Sequence, residues 1–212
     1  MSRFAPVTRP LGLHWHPYAD NVLQPILHLP DRPAEQGESI VVYLPFEDQQ
    51  EITRLLQQFP QHQFRQYASG LAPIQAANVL LCPTSTSHFK RDLAGCTGVI
   101  CNSGFELISE CLQWRKPVLT RPLQGQIEQL SNARALGQLG YATVMSALCP
   151  VTIGHWLAHR PKTPVVSFPD VAAYLALWLV DGAPHEAPEL RRQLWPGATA
   201  TGIGQLPQNK VA

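Results

Sequence analysis

The residue types and spacing that could do chemistry lie between Asn102 and Gln129. Asn102, Ser103 and Gly104 separate a short apolar run, Thr97 to Cys101, from an amphipathic stretch, Phe105 to Trp114. Leu107, Ile108, Cys111 and Leu112 give that stretch an apolar stripe at helical spacing. The pattern is a buried strand that turns into a helix, with Ser103 or Asn102 as its cap. The first N–H groups of a helix lack intrahelical partners and carry partial positive charge, so this junction suits a phosphate. Glu110 lies further along the same helix, and Gln126, Glu128 and Gln129 open the next one. Taken singly, these residues also fit a plain cap or solvated polar faces. Their order along one stretch is what makes them a candidate site.

The elements around these residues must hold both junctions on one edge. Lys116 and Pro117 stop the first helix, Pro117 to Thr120 is a second apolar run, and Gly140 ends the helix Gln126 to Leu139. Tyr141 to Met145 is a further strand. Strand alternating with helix is the grammar of a parallel sheet with crossover helices. Upstream, Ser39 to Leu44, Gln63 to Tyr67 and Asn78 to Cys82 read as strands, which makes six in all. Glu47 to Phe59 reads as an amphipathic helix, Pro83 to His88 as a loop and Phe89 to Ala94 as a short helix. The expected fold is therefore α/β: a doubly wound, Rossmann-like parallel sheet with helices on both faces. In such sheets ligands bind beyond the carboxyl ends of the strands, where both junctions lie.

Residues 1–38 read as a proline-rich connector and 39–160 as the Rossmann-like domain. Residues 161–183 contain a last helix, Pro169 to Val180, and 184–212 are rich in Gly, Pro and Ala and read as a flexible tail. The net charge of +1 provides no field to draw nucleic acid. Five cysteines, an odd number with no Cys-x-x-Cys spacing, fit buried thiols in a reducing cytoplasm better than disulfides or zinc. Met1 to Pro10 has no apolar run of a signal peptide, and Val171 to Val180 is too short to span a bilayer. His14 and His16 alternate as two metal ligands on a strand would, but no acidic or cysteine partner lies near them in sequence, and packing is the better reading.

The ordered set Ser103-Gly104, Ser109-Glu110, Lys116-Pro117, Glu128-Gln129 and Asn132-Ala133 resembles the donor-binding half of GT-B glycosyltransferases. It is similar to the bacterial transferase that adds N-acetylglucosamine in peptidoglycan synthesis and to related prokaryotic UDP-sugar transferases. The resemblance covers roughly residues 39–145. It implies a nucleotide-sugar donor, a UDP-sugar, as substrate, with no cofactor and no metal. By that resemblance Ser103, Gly104 and Phe105 hold the diphosphate, and Glu110 accepts the hydroxyl hydrogens of the ribose diol. Gln126, Glu128 and Gln129 contact the sugar, while His88 and Phe89 border the base.

The family's Gly-rich loop after the first strand is replaced here by Leu44-Pro45-Phe46-Glu47-Asp48, with two acids and no glycine. A second carboxylate, Glu106, shares a helix face with Glu110, so it either points away or pairs with a cation, for which Arg121 and Lys90 are the candidates. The acceptor site and the catalytic base are expected on a missing domain or a partner chain, as would be any association with a membrane surface. This chain alone is then expected to be inactive. A nucleotide-sugar epimerase half and a non-catalytic scaffold of the same fold are the competing readings.

Overall fold

The computed structural model describes residues 8–29, 37–84 and 86–195, and statements of absence refer to these residues. The chain forms two compact units: Leu29–Val166, and Met1–His28 together with Ser167–Ala212. The second of these begins with two short parallel strands, β1 (Gly12–Leu13) and β2 (Val22–Leu23).

The larger unit is one seven-stranded sheet with crossover helices. In chain order it contains β3 (Ile40–Tyr43), α1 (Gln49–Leu56), β4 (Phe64–Ala68), β5 (Ile74–Ala76), β6 (Val79–Pro83), α2 (Thr86–Gly95), β7 (Gly98–Asn102), α3 (Phe105–Gln113), β8 (Val118–Arg121), α4 (Ile127–Leu139), β9 (Thr143–Val144) and α5 (Pro150–His159). The spatial order is β5-β6-β4-β3-β7-β8-β9, and every pairing is parallel except β5 with β6. The chain thus winds outward from β3 through β4 to β6, then returns to place β7 on the other side of β3. That reversal is the switch point of a doubly wound sheet, where ligands bind.

The strands are apolar on both faces, as parallel strands under helices must be. Ile40, Val42 and Leu44 join Ile52 and Leu56 of α1 and Ile153, Trp156 and Leu157 of α5 in one core. Val41 and Val99 point the other way, since side chains alternate along a strand, and they too are fully buried. Asp48 caps α1 by accepting from the Gln50 and Glu51 N–H groups. Gly140 ends α4 at φ +67°, a left-handed position that favours glycine.

Three features differ from the sequence reading. β5 is an added antiparallel edge strand, joined to β6 by the two-residue turn Ala77-Asn78 with Ala77 at φ +55°. Helix α2 begins at Thr86, so His88 is a helical residue and not the end of a loop. In the smaller unit, α6 (Val171–Val180) is followed by α7 (Ala187–Leu194), inside the stretch expected to be a flexible tail. Leu190 and Leu194 of α7 pack with Leu23 and Val171, and the Gln24 amide donates to the Leu194 carbonyl. The remainder of that tail, from residue 196, lies outside the described residues, as do residues 1–7 and 30–36 of the expected connector. The His14 ring meets Trp15 and Tyr18 edge-on, and burial pushes its pKa down to about 4.

All five cysteines are free, and Cys82, Cys96, Cys101 and Cys111 are buried. Burial pushes the Cys101 thiol up to about 12 and raises Cys82, Cys96 and Cys111. Cys149, at the start of α5, is instead lowered by the Thr152 and Val151 N–H groups. Because the thiolate is the reactive form, iodoacetamide at neutral pH should label Cys149 first, as read by peptide mass spectrometry. Prior labelling of Cys101 or Cys111 would contradict the packing of β7 against α3.

Candidate functional site

Strands β3 and β6 and helices α2 and α3 meet at the carboxyl edge of the sheet beside the switch point. They enclose a cavity of about 250 Å³ lined by Tyr43, Thr84, Phe89, Lys90, Glu106, Leu107 and Glu110. Pockets for drug-sized ligands run from roughly 300 to 1,000 Å³, so this one suits a nucleoside-sized portion of a larger ligand. Its walls are largely apolar and aromatic. The Phe89 ring stands 5.3 Å from Tyr43 and 5.0 Å from Tyr67, the second contact edge-on. The Tyr67 hydroxyl donates to Asp92 at 2.6 Å, and Asp92 also pairs with Arg65, so Tyr67 is fixed behind Phe89. Burial raises the Tyr67 pKa.

Glu110 lines this cavity but does not face open solvent, as a solvated helix carboxylate would. Its side chain is 3% exposed and forms a salt bridge with Lys90 of α2. Glu106, one turn earlier, is exposed and lines the same cavity. The two candidate cations for Glu106 are both committed elsewhere: Lys90 pairs with Glu110, and Arg121 at the end of β8 pairs with Glu47. The Arg121–Glu47 pair also accounts for one of the two acids that replace the family's Gly-rich loop.

The junction between β7 and α3 is built differently from the expected cap. Gly104 occupies the N-cap position, and no side chain caps the helix. Ser103 is fully buried, and its hydroxyl is shared with Thr120 at 2.8 Å. The Asn102 amide donates to the Arg121 carbonyl. A Cβ placed on Gly104 would meet nothing within 4 Å, so the space in front of this helix end is open.

Helix α4 grips the same junction from behind. The Gln129 side-chain oxygen accepts from the Ser103 N–H at 3.2 Å and from the Leu123 N–H at 3.1 Å. Asn132, one turn on, donates to the Ser103 carbonyl at 3.0 Å. Ser103 therefore spends its backbone and side chain inside the fold, and Gln129, 6% exposed, ties two loops together. That geometry commits the Ser103 N–H and the Gln129 side-chain oxygen to bonds within the fold. Gln126 and Glu128 are exposed at the start of α4, and His88 is exposed on α2. Lys116 is buried too, where its ammonium donates to the Cys96 carbonyl at 2.7 Å. Among the described residues no cluster of three or more His, Cys, Asp or Glu could hold a metal. No described helix is long and apolar enough to cross a membrane.

The sequence model of the family described as glycosyl transferase family 1 matches residues 21–161. The chain belongs to that family. Its mostly parallel sheet flanked by helices is the α/β, Rossmann-like fold expected from the sequence. No curated protein matches the sequence. Among solved structures, the NMR solution structure of ALG13 is similar at a TM-score of 0.45 and 12% identity, over 67% of this chain and 96% of that one. SnogD, a glycosyltransferase from Streptomyces nogalater, gives 0.42 and 20% over 84% of this chain and 52% of its own. The spinosyn rhamnosyltransferase SpnG, complexed with thymidine diphosphate, gives 0.45 and 16% over 90% and 52%. This glycosyltransferase-family chain thus spans nearly all of ALG13 and about half of the other two.

Proposed function

We propose that the chain is the donor-binding half of a glycosyltransferase and takes a UDP-sugar. The observation that carries this reading is the cavity at the switch point, where aromatic walls stand beside a buried carboxylate. Phe89 and Tyr43 would border the base, with His88 at the rim, and Glu110 would take the ribose diol. The diphosphate would lie over Gly104 and the first turn of α3, including the Phe105 N–H, where the helix dipole is positive. Ser103 and Gln129 would hold that turn in place from inside the fold. Gln126 and Glu128 remain at the surface of the same edge for the sugar.

In transfer to an acceptor hydroxyl, the bond between the sugar and the diphosphate breaks and negative charge grows on the departing phosphate oxygen. N–H groups already aimed at that position stabilise the charge without reorganising. The acceptor site and the base would come from a further domain or a partner chain, in keeping with a match to only about half of SnogD and SpnG.

The test is to incubate the purified chain with UDP-sugars and candidate acceptor alcohols, and to titrate it with UDP in parallel. UDP binding without turnover is the expected result. Clear turnover by this chain would overturn the half-enzyme reading, and absence of UDP binding by the folded chain would overturn the donor site.

A further inference from the structure

The geometry points to Lys90 as a second donor-recognition residue, one that makes the cavity select a ribonucleotide over its 2′-deoxy counterpart. This rests on the reading above that the cavity takes a nucleoside diphosphate. A carboxylate reading a ribose diol by itself would offer acceptors only. Here one Glu110 oxygen already accepts from the Lys90 ammonium, and both groups line the cavity. An ammonium has three donors and no acceptor, so after the bond to Glu110 it can still donate. The pair therefore presents a donor beside an acceptor on one wall. Two adjacent hydroxyls, each able to give and receive a hydrogen bond, complement that wall.

Charge supports the same assignment. Glu106 and Glu110 together would make the wall doubly negative beside a diphosphate, and Lys90 is the one cation lining this cavity among the described residues. The side chain of Lys90 is 19% exposed, so part of its hydration is already lost before a ligand arrives. A 2′-deoxyribose would set a C–H against this partly buried donor–acceptor pair and leave one member without its bond. Sites built to hydrogen-bond a hydroxyl reject analogues that lack it for this reason.

The experiment is calorimetric titration of the full chain with UDP and with 2′-deoxy-UDP, for wild type and Lys90→Met. Wild type should bind UDP at least about tenfold more tightly than the deoxy form, since a hydrogen bond to a charged group is at stake. In Lys90→Met, UDP should bind about tenfold more weakly and the preference should fall below about threefold. A merely structural role for Lys90 would weaken both ligands together and leave their ratio intact, which would overturn the inference while leaving the donor site standing. If Lys90→Met fails to fold, Lys90→Gln keeps a polar partner for Glu110 while removing the ammonium, and its ratio should fall clearly below that of wild type. An unchanged ratio in Lys90→Gln would overturn the inference. Failure of wild type to bind UDP at all would overturn both this inference and the reading beneath it.

Discussion

Glu110→Gln should weaken UDP binding by about tenfold to a hundredfold. The carboxylate lies inside the cavity and would accept from the ribose, and hydrogen bonds to a charged group contribute roughly 1.5–3 kcal/mol. The variant keeps the shape and the polar character of the side chain, so the loss reports charge. Glu110 is also one partner of a buried ion pair, and removing one partner of such a pair costs about 3–5 kcal/mol when the other is sealed from water. Lys90 retains some access to solvent, which places the folding cost below that range. Calorimetry reads the binding and urea titration reads the stability. Glu106→Gln is the control: this carboxylate is exposed at the mouth, and its loss should leave UDP binding unchanged or slightly tighter. Equal losses in both variants would mean that the cavity is filled in a different register along α3.

Trp156→Ala should lower the unfolding free energy of the larger unit by about 3–5 kcal/mol, the usual range for emptying a buried aromatic site. Trp156 is 1% exposed and sits in the core with Ile40, Val42, Ile100 and Leu119. The ring presses so closely on β7 that a Cβ on Gly98 would lie 2.7 Å from its edge. Domains are stable by roughly 5–15 kcal/mol, so this single change removes about a fifth or more of the margin. Trp156→Phe should cost far less, because the buried indole N–H has no hydrogen-bond partner and its removal abolishes a desolvation penalty of about 1–3 kcal/mol. Urea midpoints for the two variants check this. A loss below about 1 kcal/mol in Trp156→Ala would contradict the packing of α5 on the sheet.

Much of this fold was legible because its main strands are short apolar runs and its helices carry caps and stripes. The run Thr97 to Cys101 became β7, and the stripe at Leu107, Ile108, Cys111 and Leu112 became α3. β5 escaped because Ile74-Gln75-Ala76 is brief and exposed, and Ala77-Asn78 lacks the glycine that marks most two-residue hairpins. The site was legible only in part. Glu110, which the family resemblance singles out, lines the cavity at the switch point. The hydrogen-bond partners did not follow. Gln129 and Asn132 stand in a polar stretch, and both bond Ser103, a contact 26 and 29 residues distant in sequence. The pairing of Lys90 with Glu110 joins two helices through the tertiary fold, and periodicity carries no trace of it.

A nucleoside diphosphate bound at the switch point would have its nucleoside in the cavity and its diphosphate over the end of α3. Amide hydrogen exchange of the chain with and without UDP tests this most directly, because ligand contact slows exchange locally. Added protection is expected at residues 43–44, 84, 86–90 and 104–110, with little change in β9 or α5. Protection confined to another part of the sheet, or none at UDP concentrations that saturate binding, would contradict it.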